Sequence, residues 1–410
     1  MSATTSPIQG QDAPVRPFQV DLSQEAIQDL RARIAATRWP DTETVADVSQ
    51  GVPLAMIQAL ARYWGTDYDF ARLQPTLNAH PQFMTEIDGL DIHFIHVRSQ
   101  HRDALPMIVT HGWPGSILEQ LKIIEPLTNP TAHGASASDA FHLVIPSLPG
   151  FGFSEQPASV GWDPGRTARA WAQLMNRLGY TRYVAQGGDI GAGVTDAMAI
   201  QAPDGLAGIH LNFLRRPPLA VAAALLGRAP VPQGFTDAER AAFAAFGAQA
   251  RKGYAAEQGQ SPQTIGYPLT DSPAGLAAWM LDHDADSYVK ISRAFAGEKP
   301  SGGLTRDHVL DNATLYWLTG TATSAARMYW EGARSTAAAA ASGQRPPEVS
   351  LPAAFTVFPD EIFQAPRTWV EQVYPNFIYF NEAGRGGHFA AWEEPQLFTE
   401  ELRAGFQSLR

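Results

Sequence analysis

The chain contains 410 residues, of which 45% are hydrophobic and 17% are charged. This balance supports a sizeable apolar core and excludes a mostly disordered protein. The net charge is −11, which disfavours nucleic acid as a partner because nucleic-acid-binding surfaces are basic. No cysteine is present, so a disulfide framework, a thiolate metal site and a cysteine nucleophile are excluded.

The first residues carry no targeting signal. The opening MSATTSPIQGQDAPVRP lacks the apolar run of a signal peptide, and no stretch reaches the ~20 apolar residues that a transmembrane helix needs. We therefore expect a cytoplasmic protein without a membrane anchor, with residues 1–15 disordered or loosely held on the surface. Only four of the 30 cationic residues are lysine, a composition typical of a GC-rich bacterial gene.

Residues 1–88 are predicted to form a helical N-terminal region. A first helix begins near Leu22, where Asp21 or Ser23 can cap it, and ends before Pro40. Two further helices are expected at residues 54–64 and 69–77. Nothing in this region has the character of a catalytic motif.

Residues 89–215 and 346–410 alternate between strand and helix patterns. Strands are predicted at Ile92–Val97, Met107–Thr110, Phe141–Pro146, Arg182–Gln186, Leu206–Phe213, Ala354–Phe358 and Phe377–Phe380. Helices are predicted between them at Gly165–Leu178 and Gly191–Gln201. This alternation indicates an α/β fold with a mainly parallel sheet, which places ligands at the carboxyl ends of its strands.

Residues 216–345 interrupt this rhythm between two proline pairs. Helices are predicted there at Asp237–Gly247, Gly275–Asp282 and Leu310–Leu318. A helical insertion within an α/β sheet is most simply a lid. Its large aromatic side chains suit either a roomy apolar pocket or core packing; they are Phe243, Phe246, Trp279, Phe295 and Trp317.

The segment QGGDIG at residues 186–191 has the pattern of a nucleophile elbow, in which small residues flank a reactive side chain at a strand-to-helix turn. The reactive residue here is Asp189 rather than serine. A carboxylate with a pKa near ~3.9 is already ionised at neutral pH. It is suited to displacing a leaving group at an alkyl carbon, which gives an ester that water then cleaves. The alternative is that Asp189 only caps a helix.

The segment HGWPGS at residues 111–116 follows a predicted strand, where a tight turn brings backbone amides close to a developing oxyanion. The expected donors are the amides of Trp113 and Ile190. An ordinary turn is the alternative, and the sequence leaves open whether the bond before Pro114 is cis.

A histidine and a carboxylate complete the pattern. His388 lies among glycines after the last predicted strand and suits a general base. Asp360 and Glu361 follow the preceding strand, and either can orient the imidazole. The chain order of nucleophile, acid and histidine is that of α/β-hydrolases. Glu361 is the preferred acid, with Asp360 as its alternative.

Four segments together resemble the microsomal-type epoxide hydrolases, a family that includes juvenile hormone epoxide hydrolases, fungal relatives and bacterial ones. They are HGWPGS at 111–116, SLPGFGFS at 147–154, GGDIG at 187–191 and GGHF at 386–389. The resemblance extends to RWP at 38–40 and covers nearly the whole chain. It implies an α/β-hydrolase fold with a helical lid inserted in the core and an N-terminal region that wraps both.

The resemblance also implies catalytic roles. Asp189 would open an epoxide, and His388 with Glu361 would activate the water that hydrolyses the ester. Two lid tyrosines would donate protons to the epoxide oxygen, and Tyr254 and Tyr329 match the motifs that carry them. A phenol is a suitable donor because ring opening leaves a strongly basic alkoxide. No metal or organic cofactor is implied. Tyr316, by contrast, belongs to the packed helix face 315–318.

Two other classes remain open at this stage. A haloalkane dehalogenase uses the same ester chemistry but typically has tryptophan directly after the nucleophile, where this chain has Ile190. A non-catalytic protein of the same fold would bind a small hydrophobic ligand without converting it. A conventional esterase is disfavoured because no serine occupies the elbow. The expected partners are a small hydrophobic epoxide and water, and a homodimer is left open.

Overall fold

A computed structural model describes residues 13–249, 253–282, 303–342 and 347–410. Nine strands in these ranges form one sheet. They are β1 (Arg16–Phe18), β2 (Gln82–Ile87), β3 (Leu90–Val97), β4 (Leu105–Thr110), β5 (Phe141–Pro146), β6 (Tyr183–Gly187), β7 (Leu206–Leu211), β8 (Ala353–Val357) and β9 (Phe377–Glu382).

The sheet has the order β1-β2-β3-β5-β4-β6-β7-β8-β9. Pairing is antiparallel from β1 through β2 and β3 to β5, and parallel from β5 to β9. All seven predicted strands are confirmed, with ends shifted by no more than two residues. The sheet is therefore mainly parallel, as expected.

Strands β1 and β2 are not among the predicted strands, and they lie in the N-terminal region that was expected to be helical. Strand β1 has three residues including Pro17, too few to show a period. Strand β2 buries the polar residues Gln82 and Thr85, which hides the alternation typical of a strand. Strand β1 pairs with β2, which is distant in the sequence. Strand β2 forms a hairpin with β3 across the two-residue turn Asp88-Gly89, a local signal that the strand prediction did not use.

The α-helices of the described residues follow in chain order. They are α1 (Gln24–Ala35), α2 (Leu54–Thr66), α3 (Leu73–Leu77), α4 (Leu121–Thr128), α5 (Pro164–Arg177), α6 (Asp189–Gln201), α7 (Leu219–Leu225), α8 (Asp237–Gln249), α9 (Gly253–Gln260), α10 (Pro262–Asp271), α11 (Pro273–Leu281), α12 (Arg306–Thr319), α13 (Ala322–Ser342), α14 (Arg367–Val373), α15 (Ala390–Glu393) and α16 (Pro395–Gly405).

Two groups of helices pack on the sheet. Helices α5 and α6 pack together, and α6 contacts β4, β6 and β7, whereas α4, α15 and α16 form a second group that contacts β5, β8 and β9. The lid helices α7 to α13 come between β7 and β8 in sequence, and α8, α11 and α12 confirm the three helices predicted there. Phe295 and residues 1–12 lie outside the described residues. The domain boundaries at residues 88, 215 and 345 stay predictions.

The N-terminal helices pack on the lid. Ser23 caps α1 by accepting a hydrogen bond from the Ala26 amide, and Ile27, Leu30 and Ile34 are buried as the predicted apolar stripe. Helices α1 and α2 both contact α11, and α1 also contacts α12. Among the described residues, none of the helices combines the length and apolar character that crossing a bilayer requires.

A buried polar cluster joins the N-terminal region to α12. Asp311 of α12 accepts hydrogen bonds from the Tyr68 hydroxyl and the Arg72 guanidinium, each at 2.5 Å. The Asp311 side chain is only 4% exposed. Nearby, Trp64 donates its indole N–H to the Thr314 hydroxyl at 2.9 Å. Burying a carboxylate without partners costs free energy. These bonds therefore favour the arrangement in which the N-terminal region packs on α12 at Asp311.

We expect Arg72→Ala to destabilise the protein by about 2 kcal/mol, because it leaves the buried Asp311 carboxylate without its cation. The matched control is Arg16→Ala, which breaks the Arg16–Asp91 pair, whose side chains are 53% and 40% exposed. That change should cost no more than ~0.5 kcal/mol. Urea unfolding midpoints measure both effects, and equal shifts for the two variants would contradict the prediction.

Candidate active site

The turn between β6 and α6 has no room for larger residues around Asp189. A Cβ atom on Gly187 would lie 2.1 Å from the Gly191 carbonyl oxygen, and one on Gly191 would lie 2.0 Å from the Thr110 carbonyl oxygen. Asp189 itself has a left-handed backbone with φ of 46°, a conformation that costs roughly 1–3 kcal/mol in a residue other than glycine. The surrounding backbone therefore imposes the turn that the sequence predicts.

The Asp189 carboxylate accepts a hydrogen bond from the 111–116 segment. It is 7% exposed, and its Oδ1 accepts a hydrogen bond from the Trp113 amide at 2.8 Å. Gly188 is the N-cap of α6, without a side-chain capping bond, so Asp189 does not act as the cap. Ile190 follows in the first turn of α6 and is buried. The Trp113–Pro114 peptide bond is cis.

His388 lies between two carboxylates. Its Nδ1 donates to Glu361 Oε1 at 2.5 Å, and its Nε2 is 3.6 Å from Asp189 Oδ2. Glu361 Oε1 also accepts from the Ile362 amide at 2.8 Å. The alternative acid, Asp360, is exposed and pairs through its backbone with the segment before His388. The structure thus brings Glu361, rather than Asp360, to the imidazole.

The charge state of His388 depends on both carboxylates. Burial by itself lowers the pKa of His388, but the charge of Glu361, the hydrogen bonds to Asp189 and Glu361, and the charge of Asp189 raise it well above its usual value. An imidazolium between two carboxylates is the result at neutral pH. Any reaction that neutralises Asp189 removes part of this support and lowers the pKa of His388, so that the imidazolium can lose its proton.

The two lid tyrosines meet at Trp113. Tyr254 of α9 stacks on the Trp113 indole with ring centroids 5.1 Å apart, and Tyr329 of α13 contacts it edge-on at 5.8 Å. The two phenol rings are 6.2 Å apart. Burial raises the pKa of Tyr329 well above its usual value, and the charge of Asp189 adds to the rise. Tyr329 therefore keeps its proton and remains a hydrogen-bond donor.

The sequence analysis missed two side chains of α12 that hold the 111–116 segment. Asn312 donates to the Pro114 carbonyl at 2.6 Å and accepts from the Ser116 hydroxyl at 2.7 Å. Tyr316, interpreted from sequence as a packing residue, donates its hydroxyl to the Gly115 carbonyl at 2.7 Å. The two are four residues apart on one helix face. Two polar groups four residues apart on an otherwise apolar helix face are the sequence signal that could have indicated their role.

All seven predicted site residues lie around this turn. These are Asp189, His388, Glu361, Tyr254, Tyr329, Trp113 and Ile190. In the part of the chain that the structure describes, no group of three or more histidine and acidic side chains has an arrangement that could hold a metal ion.

Comparison with known proteins first gives the class of the fold. Residues 106–252 match the family described as alpha/beta hydrolase fold, which confirms the predicted α/β-hydrolase. Residues 15–120 match the family described as epoxide hydrolase N terminus, and this match covers most of the predicted N-terminal region.

Individual relatives extend the likeness over nearly the whole chain. A protein of Stigmatella aurantiaca (strain DW4/3-1), whose name gives epoxide hydrolase as a provisional assignment, is 51% identical over 97% of this chain and 86% of its own length. Epoxide hydrolase 1 of Sus scrofa is 35% identical over 97% and 89%. The crystal structure of juvenile hormone epoxide hydrolase from the silkworm Bombyx mori superposes with a TM-score of 0.83 at 28% identity, covering 98% of this chain and 96% of that one.

The chain belongs to the epoxide hydrolase family. The resemblance to the microsomal-type enzymes is confirmed, and with it the epoxide hydrolase function. The dehalogenase and the non-catalytic binding protein are not favoured by these relatives.

We expect Gly191→Ala to lower activity on the order of 100-fold, because the clash with the Thr110 carbonyl displaces Asp189 and a shift of about 1 Å is enough for such a loss. Gly193→Ala is the matched control, since a Cβ there would meet nothing closer than 3.8 Å, at Arg215. Diol formation and thermal unfolding measure both variants. Wild-type activity in Gly191→Ala would show that the turn tolerates a side chain.

Proposed function

We propose that Asp189 is the nucleophile of this epoxide hydrolase and that its two oxygens have separate tasks. The observation that carries this proposal is the asymmetry of the carboxylate. The Trp113 amide donates to Oδ1, whereas Oδ2 faces His388 at 3.6 Å. Oδ2 attacks an epoxide carbon and forms the ester bond. Oδ1 becomes the ester carbonyl oxygen, already held by an amide that stabilises negative charge.

Tyr254 and Tyr329 act on the other side of the breaking bond. As the carbon–oxygen bond of the epoxide breaks, the electron pair goes to the oxygen, and one phenol transfers its proton there while the other donates a hydrogen bond. The convergence of both rings at Trp113, whose amide holds Asp189, supports this assignment. Donation matters most in the transition state, because the charge on the oxygen exists only there.

His388 and Glu361 act in the second step. Ester formation removes the charge of Asp189, so the pKa of His388 falls and the imidazolium releases its proton, which returns through solvent to the tyrosinate. Water loses a proton to Nε2 and attacks the ester carbonyl carbon, and the negative charge on Oδ1 is held by the amides of Trp113 and Ile190. The ester bond to Oδ2 then breaks and His388 protonates the leaving alkoxide to give the diol. The new carboxylic acid of Asp189 transfers its proton to His388, which restores the carboxylate and the imidazolium.

The substrate class that this chemistry accepts is a small hydrophobic epoxide, and the product is a vicinal diol. Aromatic rings at the site, including Trp113 and the two tyrosines, support an apolar substrate. The cytoplasmic location and the homodimer stay predictions.

Asp189→Asn should abolish diol formation, because the amide is a poor nucleophile and forms no ester. Styrene oxide and a matched haloalkane are supplied to the wild type and the variant, and diol and halide are measured together. Wild-type protein quenched during turnover should also show a mass increase on the peptide that contains Asp189. Halide release without diol, or diol formation by Asp189→Asn, would contradict the proposal.

Tyr254→Phe and Tyr329→Phe should each slow ester formation on the order of 100-fold, since each removes a proton donor or hydrogen bond to the developing alkoxide. The matched control is Tyr267→Phe, because Tyr267 is 68% exposed on α10. Rapid-quench measurement of the ester separates this step from hydrolysis. Ester formation at the wild-type rate in both site variants would remove the tyrosines from the mechanism.

A further inference from the structure

A small pocket lies beside Asp189 and His388. Eleven residues line it, including Glu119, Gln120, Gln186, Asp189 and His388. Neither Tyr254 nor Tyr329 is among these residues, so the pocket is separate from the tyrosine face of the site. It leaves about 20 Å³ for the centre of a water molecule. Because one water needs on the order of 10–15 Å³ by this measure, the pocket fits one or two waters and no substrate.

Three side-chain oxygens that line the pocket are buried and, among the described residues, have no hydrogen-bond partner. They are Glu119 Oε2, Gln120 Oε1 and Gln186 Oε1. The three residues are 7%, 4% and 1% exposed. Buried oxygens of this kind are costly unless they are hydrogen-bonded, and internal water commonly satisfies them.

Glu119 is placed between the 111–116 segment and the catalytic pair. It follows that segment directly, in the short turn Ile117–Gln120. Its Oε2 occupies the space beside Gly115, where an added Cβ would lie only 1.9 Å from this oxygen. Its Oε1 accepts a hydrogen bond from the Gln120 side chain at 3.0 Å. The carboxyl is therefore held in position with one oxygen already used.

The protonation of Glu119 suits a water-binding role. Burial raises the pKa of Glu119 to about 8, with the charge of His388 acting against this rise and the charge of Asp189 adding to it. A neutral carboxyl has one O–H to donate and a carbonyl oxygen that accepts. It also adds no second negative charge beside the nucleophile.

We propose that Glu119 is a positioning residue that holds the hydrolytic water beside the Asp189 ester and within reach of His388. The inference rests on the proposed function, since it requires an ester at Asp189. The pocket contains the base, the ester-forming residue and the unpartnered oxygens, and the tyrosines that face the epoxide lie elsewhere. The water thus approaches the ester from inside the protein while the substrate group occupies the lid side.

The test measures ester formation and ester hydrolysis separately with styrene oxide, by rapid quench and intact-protein mass spectrometry. Glu119→Leu should slow hydrolysis about 100-fold, because the water loses its fixed position, and should leave ester formation within about threefold of wild type. Glu119→Gln retains a donor and an acceptor of the same size, so hydrolysis should remain within about tenfold. The ester should accumulate in Glu119→Leu.

The control is Glu401→Gln. Glu401 is also a buried carboxyl, bonded to Thr356, Tyr379 and Asn381, and it does not line the pocket. The rates of ester formation and ester hydrolysis, expressed per folded protein, should both stay unchanged in this variant. Hydrolysis at the wild-type rate in Glu119→Leu would overturn the inference, as would equal loss of both steps in Glu119→Leu and Glu119→Gln. Absence of any ester on wild-type Asp189 would overturn the proposed function together with the inference.

Discussion

The left-handed backbone of Asp189 is the constraint on which the rest of the site depends. A residue in this conformation turns its side chain sharply away from the strand before it, and only close backbone packing keeps it there. That packing requires the absence of a Cβ at Gly187 and Gly191, and also at Gly112, where a Cβ would lie 2.4 Å from Asp189. The turn and the 111–116 segment therefore pack directly against each other, and no side chain fits between them at these three glycines. The amide of Trp113 reaches the carboxylate as a consequence of this fit.

The second half of the site is arranged by loops after β8 and β9, which are neighbours in the sheet. Parallel pairing brings the ends of these strands to one edge, so Glu361 and His388 meet although 27 residues separate them. The imidazole is further packed edge-on against Phe213 at 5.6 Å and Phe389 at 4.9 Å. Rings on these sides limit its rotation, which keeps Nε2 directed towards Asp189.

The parts of the fold with local signals were predictable from sequence. The seven predicted strands of the α/β core are rich in apolar residues, and Ser23 caps α1 as expected. The end of α1 was predicted less well, because the helix stops at Ala35, several residues before Pro40. Strand β1 escaped prediction because it is short and pairs with a strand that is distant in the sequence. Strand β2 was missed although it forms a hairpin with β3 across Asp88-Gly89, because its buried polar residues hide the strand alternation.

Asp189 and His388 were predicted as site residues because glycines around a polar side chain leave a recognisable pattern. Asn312 and Tyr316 were missed because the 111–116 segment that they contact is far away in the sequence, so two polar groups on one face of α12 did not reveal their partner. Glu119 was missed because its burial beside His388 is a result of the fold.

The cluster of Tyr68, Arg72 and Asp311 has a consequence for making hybrid enzymes from this family. Helix α12 contacts the N-terminal region through Asp311 and the 111–116 segment through Asn312, on adjacent residues. Exchanging the lid of one relative for that of another would carry over one partner of each contact and leave the other behind. Suitable crossover points therefore keep residues 64–72, 111–116 and 306–319 from a single parent. Variation aimed at a new substrate range is better placed on α9 and α13, which supply Tyr254 and Tyr329.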